Sequence, residues 1–545
     1  MKARSTLLAL LVLTTAAGCG GSGTSKSPSP GAAPAATDSR QLAGGPVRGG
    51  TFTMALASDV PTMDPAQAGF DFASWSMTVA QFSGLVDYDE GLKLRGDAAE
   101  SWEVSKDDKT YTFHLRPELK FSDGSPVSSG DVKFSIERIV EPETGSPGAY
   151  LFGDIVGAAE FAGGKATSIA GIETPDPATV IVRLTAPTPY FLNILAMPYG
   201  RIMKPAVVKE FGRSVSQHPV GSGPFMLTRW DAGQRVVLER NPHYYDTERP
   251  YLDEVVVKVN VNDQTRVLEF RRGDLSISDI PSAAYQQITS DPKLKPYIST
   301  SRDPSTYFIG MKNLTKPFTD ERVRQALNLA VNKQRLVQLL NGRGVVSHGV
   351  IPPPLEGYDP DRKPYGFDQA KAKSLLREAG YANGFSTEIW TINDEQSVRI
   401  VQSVANDLAA VGVKARVRSM NSSTFYAGVG EKDKAPMFFT FWLQDYPDAY
   451  DFFSNLLTKA AWGPTNSAYF YDPKVDANTA ALAHSTDQAM RVKTMKETDA
   501  LVFDRAPWIF LYHGVTQNIH QPDVFYNLHP VHLWRFADYW VKAAS

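Results

Sequence analysis

The sequence predicts an α/β protein with more than one lobe, on three observations. The chain has 545 residues, whereas a single hydrophobic core stops growing at roughly 250 to 300 residues. Short segments near the N-terminus alternate apolar and polar residues, as half-buried strands do. In the second half, helical patterns are followed by a strand pattern, which is the order that α/β lobes produce.

The strand patterns lie at the start of the predicted folded part. Thr51–Leu56 alternates directly after a pair of glycines, which predicts a first strand. Ser101–Val104 and Thr110–Leu115 flank a polar turn. This spacing predicts a β-hairpin that turns Tyr111 and Phe113 inward.

Four helices are predicted from their caps and apolar spacing. A capping box at Ser128–Asp131 begins the first. Thr319 is the predicted N-cap of the second. Asp368 and Gly380 are predicted to begin and end the third, and Gly412 to end the fourth, which an alternating strand follows at once.

The first 18 residues have the order of a bacterial secretory signal. Two basic residues precede the apolar run Leu7–Leu13, and small residues lead directly into Cys19, the sole cysteine. The order resembles a lipobox, although Ala16 stands where that pattern prefers leucine. Residues 1–18 are therefore predicted to be a lipoprotein signal peptide, with Cys19 lipidated. The alternative is an ordinary signal peptide beside a thiol without a role.

Residues 19–47 are dominated by Gly, Ser, Pro and Ala, and such a composition predicts a flexible tether. In the chain as a whole, 42% of residues are hydrophobic and 21% are charged, which excludes global disorder. The formal net charge of −3 argues against a nucleic acid partner, because phosphate binding needs a clustered basic surface. A single cysteine excludes an intramolecular disulfide and a thiolate metal cage.

No motif of an enzyme is present. The chain contains neither G-x-S-x-G nor H-E-x-x-H, so no catalytic residue and no cofactor is predicted. His513, His520, His529 and His532 crowd the C-terminus, but their spacing matches no zinc or nickel pattern. We therefore predict that they are surface or core residues and not metal ligands.

Six stretches, in family order, resemble the family 5 extracellular solute-binding proteins of bacterial ABC importers, the peptide- and nickel-binding type. They are Gly84–Arg116, Phe121–Ile139, Val220–Asp246, Pro317–Val331, Tyr365–Phe385 and Trp442–Phe453.

The resemblance implies a two-lobed clamshell like the periplasmic binding proteins (type II, cluster C), with an extra domain inserted in the first lobe. Lobe I would consist of residues 48–83, 218–305 and 516–545, and the inserted subdomain of residues 84–217. Lobe II would consist of residues 306–515. Because the chain crosses between the lobes more than once, closure about a hinge of several strands is expected.

The resemblance also implies ligand-binding residues. In peptide-binding relatives an acidic residue pairs with the free α-ammonium of the ligand, and the W-x-x-D pattern puts it at Asp445. Trp442 and Tyr446 flank Asp445 and are predicted to form apolar walls of the site. Asp448 is predicted to cap the next helix, and Asp451 to complete its first turn.

Arg399 is the predicted partner of the ligand carboxylate. In some relatives an arginine near the start of the helix before a V-G-V turn has this role, and Arg399 is at that spacing from Val411–Val413. Arg399 also lies about 200° around the helix from the buried residue Val401. A solvated surface arginine is the alternative.

The expected partners follow from the same family. They are a short peptide, the permease and ATPase of an ABC importer, and the outer face of the cell membrane through the lipid on Cys19, with the protein acting as a monomer. Alternatives within the fold are a nickel chelate or an oligosaccharide as ligand. A surface lipoprotein that senses a ligand without transport would have the same sequence.

Overall fold

A computed structural model describes residues 45–542 except Phe70 and His532. The predicted signal peptide, Cys19 and all of the tether before residue 45 lie outside the described residues. No helix within the described ranges has the length and apolar character needed to cross a membrane.

Strands and helices occur along the whole described chain, and several strands follow one another without a helix between them. The strands are β1 Thr51–Ala55, β2 Val86–Tyr88, β3 Leu94–Gly96, β4 Ala99–Val104, β5 Thr110–Leu115, β6 Ile172–Asp176, β7 Thr179–Arg183, β8 Phe225–Asp231, β9 Arg235–Arg240, β10 Glu254–Lys258, β11 Ile277–Asp279, β12 Ile298–Met311, β13 Gly344–Val346, β14 Phe385–Ile392, β15 Val413–Met420, β16 Met437–Leu443, β17 Trp508–His520, β18 Val524–Phe525 and β19 Trp540–Val541. The helices are α1 Phe72–Gln81, α2 Ser129–Val140, α3 Ala158–Ala162, α4 Phe191–Ala196, α5 Pro205–Phe211, α6 Asp263–Arg272, α7 Tyr285–Thr289, α8 Glu321–Ala330, α9 Lys333–Leu339, α10 Gln369–Glu378, α11 Glu395–Ala409, α12 Ser422–Val429, α13 Ala449–Leu456, α14 Pro473–His484 and α15 Gln488–Arg505.

Two four-stranded sheets are built from the first part of the chain. One has the order β1-β10-β9-β8, and the other has the order β4-β5-β7-β6. The predicted first strand is confirmed as β1, in which Phe52 and Met54 are buried. The predicted hairpin is confirmed as β4 and β5, with Tyr111 and Phe113 in the core. The capping box is also confirmed at the start of α2.

A seven-stranded sheet holds most of the second part. Its order is β11-β17-β12-β16-β14-β15, with β13 paired to β17. Strands β14, β15 and β16 are parallel to one another, whereas β12 runs antiparallel to both β16 and β17. One hydrophobic core includes residues of α8, α10 and α11, and another includes residues of α12 to α15.

The helix predictions in this part are correct except for one cap. Asp368 caps α10, and Gly380 and Gly412 follow α10 and α11 with positive φ. The predicted cap Thr319 is wrong by one residue. The side chain of Asp320 accepts a hydrogen bond from the backbone N–H of Arg322, so α8 begins after Asp320.

The long strands β12 and β17 share an interruption in their pairing. Their register shifts between Arg302 and Thr306, and Gly514 lies opposite this break. A Cβ on Gly514 would come within 2.5 Å of Ser305 Oγ and 2.9 Å of Asp303 Oδ2, so glycine permits the close approach. Such an interruption bends a strand pair locally.

Candidate functional site

The parallel strands of the seven-stranded sheet end at one edge, and polar side chains follow each of them. Asp394 caps α11 after β14, Asn421 caps α12 after β15, and Asp445 follows β16. Ser305 of β12 pairs with Leu443 of β16, so it lies at the same edge. In open α/β sheets, ligands bind outside the carboxyl ends of parallel strands, which makes this edge the candidate site.

Asp445 is the buried acid of this edge. Only 5% of the residue is exposed. The hydroxyl of Tyr150 donates a hydrogen bond to Asp445 Oδ2, although the two residues are 295 positions apart. A carboxylate at the sheet edge is therefore joined directly to the segment that contains the second four-stranded sheet.

Tyr150 reaches Asp445 from a short turn that packs closely on its own segment. Gly148 precedes this turn, and a Cβ there would come within 2.5 Å of the Tyr199 ring. The hydroxyl of Tyr199 donates to the carbonyl of Ala68, which fixes the ring. Nothing in the local sequence pattern indicated Tyr150, because its role depends on a contact between distant segments.

Asp451 is a second carboxyl group directly behind Asp445. It lies in the first turn of α13, as predicted, but it is fully buried. Its Oδ2 accepts from Trp442 Nε1 at 2.9 Å and from the backbone N–H of Asp445 at 3.0 Å, and its Oδ1 accepts from Asn455 Nδ2 at 2.9 Å. Asp445 and Asp451 are therefore neighbouring buried acids, joined through the backbone N–H of Asp445.

The pKa values of Asp445 and Asp451 are both raised above the usual range of an aspartate. Burial raises the pKa of Asp445 to about 6, although hydrogen bonds with Tyr150 and Asp451 oppose the change. Burial, and then the charge of Asp445, hold the pKa of Asp451 well above its usual range. Burial and the charge of Asp445 also raise the pKa of Tyr150, so this tyrosine remains protonated and donates.

The predicted aromatic neighbours of Asp445 have different surroundings. Trp442 is half-buried, donates to Asp451, and lines a cavity of about 70 Å³. Tyr446 is buried among residues of the segment that holds the second sheet. Its ring stacks on that of Tyr190, with 5.1 Å between the centroids. The structure brings Trp442 to Asp445 through Asp451, whereas Tyr446 packs on the side of Tyr190.

Arg399 lies on the helix after the neighbouring strand. Its side chain is 40% exposed and pairs with Glu395 at 3.8 Å, in agreement with a position away from the buried stripe. Burial lowers the pKa of Arg343, and the nearby charge of Arg399 lowers it further. The guanidinium group of Arg399 is therefore near enough to Arg343 for its charge to act there. Neither is paired with Asp445 in the described part of the chain.

Several other polar atoms near this edge are buried without a partner. Gln444 is 2% exposed, and neither of its amide heteroatoms has a hydrogen-bond partner among the described residues. The same is true of Ser305 Oγ and the hydroxyl of Tyr512. Buried polar atoms normally have a protein or water partner, so these groups are candidates to bind a polar ligand or water. No pattern in the sequence indicated these groups.

Asp448 caps a helix, and three of the four C-terminal histidines are buried in the fold. Asp448 caps α13, as predicted, and also pairs with the buried Arg491 at 2.5 Å. His513, His520 and His529 are buried, and His532 lies outside the described residues. Within the described ranges, no three His, Cys, Asp or Glu side chains are grouped so that they could hold a metal ion.

Comparison with known proteins gives one consistent family. The model of the bacterial extracellular solute-binding proteins, family 5, matches residues 93–464. The glutathione-binding protein GsiB of Escherichia coli is 32% identical over 467 residues, which cover 84% of this chain and 87% of that protein. GsiB of Salmonella typhimurium is 30% identical over 465 residues, with the same coverage.

Solved structures agree with this match. The clavulanic acid biosynthesis oligopeptide binding protein 2 is 25% identical, with a TM-score of 0.83 over 91% of this chain and 96% of that chain. The periplasmic binding protein DppA of Helicobacter pylori, in complex with the peptide STSA, is 25% identical, with a TM-score of 0.75 over 91% of this chain and 99% of that chain. The expected two-lobed α/β fold is confirmed, whereas the residue boundaries of the lobes and of the inserted subdomain stay predictions.

Proposed function

Because the chain belongs to the family 5 bacterial extracellular solute-binding proteins, we propose that it captures short peptides between its two lobes and delivers them to the permease of an ABC importer. The observation that carries this proposal is the buried carboxyl of Asp445 at the carboxyl edge of the large sheet, touched by Tyr150 from a distant segment. Members of this family are binding proteins and not enzymes, and we propose the same of this chain.

The chemistry of Asp445 favours an ammonium group as its ligand. The carboxyl lies out of water and has no cationic partner among the described residues. A charge-assisted hydrogen bond from an ammonium to a carboxylate contributes roughly 1.5 to 3 kcal/mol. Neutral sugars carry no such cation, so the site favours a peptide N-terminus over an oligosaccharide.

The opposite end of the peptide would be held by a cation. Arg399 is our candidate to bind the ligand carboxylate. Its charge also lowers the pKa of Arg343, so a second guanidinium group lies near it. Trp442 and Tyr446 are proposed to contact the ligand near its N-terminus. A zwitterionic peptide then meets an acid at one end and a guanidinium at the other, which fixes its direction in the cleft.

Glutathione is a specific candidate within this class. The relatives with 30% to 32% identity are glutathione-binding proteins. Glutathione is a tripeptide with one ammonium group and two carboxylates, and these charges complement one acid and two nearby arginines. A nickel ion bound directly by side chains has less support, because the described part of the chain contains no cluster of metal-ligating side chains.

We also propose that the protein is anchored to the outer face of the cell membrane through a lipid on Cys19. The support is the order of basic, apolar and small residues before Cys19. An anchored monomer would hold its cargo near the permease by means of the tether. Mass spectrometry of the mature N-terminal peptide tests this, and an unmodified Cys19 would contradict it.

The main experiment identifies the cargo. Protein purified without denaturation is analysed by mass spectrometry for released ligand, and the ligand-free protein is titrated with glutathione, a dipeptide, a tetrapeptide, an oligosaccharide and Ni²⁺ in a calorimeter. We expect at least one of the peptides to bind, with weaker binding when its N-terminus is acetylated. A sugar or metal chelate as the sole ligand would overturn the proposal.

Cellular uptake distinguishes import from sensing. Deletion of the gene should abolish uptake of the identified peptide if the protein supplies a permease. Unchanged uptake in the deletion strain would favour the sensing alternative.

A further inference from the structure

The two carboxyl groups at the candidate site belong to neighbouring buried acids. Asp445 is 5% exposed and Asp451 is 0% exposed, and Asp451 Oδ2 accepts a hydrogen bond from the backbone N–H of Asp445 at 3.0 Å. Two neighbouring carboxyl groups that are both out of water disfavour double ionisation unless a cation is present. The pair is therefore expected to hold one proton.

The surroundings of the pair contain no cation that would replace this proton. Tyr150 and Tyr199 face Asp445 from the distant segment, and Tyr446 faces Asp451. Trp442 and Asn455, the other donors to Asp451, are neutral.

The arginine of α15 that reaches the start of α13 is already paired. Arg491 binds Asp448 at 2.5 Å, and within the described part of the chain no lysine, arginine or histidine pairs with Asp445 or Asp451. Two neighbouring buried charges of like sign disfavour double ionisation, so one of the two acids retains a proton near neutral pH.

We propose that Asp445 and Asp451 act as one carboxyl dyad whose proton is released to water when the ammonium group of a peptide binds, so that ligand capture is coupled to proton release. This inference rests on the proposed function, because it requires an ammonium at Asp445. The empty dyad has one proton and one negative charge. The arriving ammonium keeps its own protons and brings the positive charge that allows both acids to ionise.

In this mechanism Asp451 is a positioning residue. It holds Trp442 and the backbone of Asp445 in place, and its carboxyl sets the protonation of the acid that touches the ligand. Buried acids with raised pKa values, as found for both members, lose affinity for an ammonium when acid protonates them fully. Peptide binding is therefore expected to weaken as the pH falls from 7 to 5, by about tenfold per pH unit while the free dyad holds one proton and more steeply once it holds two.

The experiment measures protons directly in the unmodified protein. Ligand-free protein is titrated at pH 7 with glutathione or the peptide identified in the binding panel, in several buffers that differ in ionisation enthalpy. The slope of observed enthalpy against ionisation enthalpy gives the number of protons exchanged. We expect release of about half to one proton per peptide.

The variant Asp451→Asn tests whether proton release on peptide binding depends on the carboxyl group of Asp451. Its amide oxygen can still accept from Trp442, and its melting temperature reports whether it folds. We expect proton release to fall close to zero and the pH dependence of binding to move to lower pH. Asp368→Asn, which changes a helix-capping acid outside the site, should leave both measurements as in the wild type.

The outcomes separate the two proposals. Peptide binding with no proton release, or with proton uptake, would overturn the dyad while leaving peptide capture intact. Absence of binding by any peptide would overturn both. If Asp451→Asn does not fold, the titrations of the wild type in different buffers still show whether peptide binding releases a proton.

Discussion

Two buried acidic groups in this protein have opposite surroundings. Asp87, in the segment that holds the second sheet, accepts a bidentate ion pair from Arg535 and a further contact from Arg201 at 3.3 Å. Asp445, at the edge of the large sheet, is equally buried, and its contacts are a tyrosine and another acid. Arginines of the protein pair with Asp87, whereas Asp445 has no cationic partner among the described residues.

The presence or absence of a cationic partner changes the pKa values of Asp87 and Asp445 in opposite directions. Burial alone would raise the pKa of Asp87, but the guanidinium groups of Arg535, Arg201 and Arg95 outweigh it and hold the pKa below its usual range. At Asp445 burial prevails, and the pKa rises. A buried acid with internal cations joins segments of the fold, whereas a buried acid without one is available to a cation from outside.

The largest expected effect concerns the paired acid. Arg535→Ala leaves Asp87 buried without its bidentate partner, so the free energy of unfolding should fall by about 3 to 5 kcal/mol, as measured by urea denaturation. Arg229→Ala, which breaks an exposed pair with Asp231, is the control and should change stability far less. Equal losses in both variants would remove the distinction drawn for Asp87.

The next effect concerns the unpaired acid. Asp445→Ala should weaken peptide binding at least tenfold, or about 1.4 kcal/mol, because the ammonium loses its anionic partner. The melting temperature should not fall as it does in Arg535→Ala. Calorimetric titration of the folded variant is the measurement, and wild-type affinity would exclude Asp445 from the site.

A smaller effect is expected from the donor on the opposite segment. Tyr150→Phe removes only the hydroxyl that donates to Asp445, a hydrogen bond of about 1 kcal/mol. Peptide affinity should fall roughly fivefold. Tyr471→Phe, a change at another exposed tyrosine, serves as the control. An unchanged affinity in Tyr150→Phe would mean that the contact is not kept in the bound state.

The smallest effect concerns stability without ligand. An acid whose pKa is raised on folding stabilises the protein while protonated, and this contribution is lost as the pH rises from about 4 through about 6. Asp445→Asn cannot ionise, so relative to the wild type it should gain about 1 kcal/mol between pH 5 and pH 7. Melting curves at both pH values measure this, and a constant difference would refute it.

Local patterns in the sequence predicted much of the fold. The alternation in β1, the hairpin of β4 and β5, and the caps of α2 and α10 depend on residues a few positions apart. The error at Thr319 arose because its neighbour Asp320 is an equally good cap. The two-lobed arrangement came from the family resemblance, because sheet order depends on pairings between distant segments.

The candidate site was only partly predictable. Asp445 and Trp442 were indicated by a family motif, and Asp448 by helix-cap chemistry. Tyr150 and the full role of Asp451 were missed. The first depends on a contact across 295 positions. The second depends on a strand end that places a tryptophan and a backbone N–H against a helical side chain.

The interruption between β12 and β17 has a mechanical consequence. The strands remain paired on both sides of Arg302 and Thr306, so the break divides one long strand pair into two shorter ladders. Any substitution of Gly514 would place a Cβ within 2.5 Å of Ser305 Oγ. The angle between the two ladders is therefore expected to change when residue 514 carries a side chain.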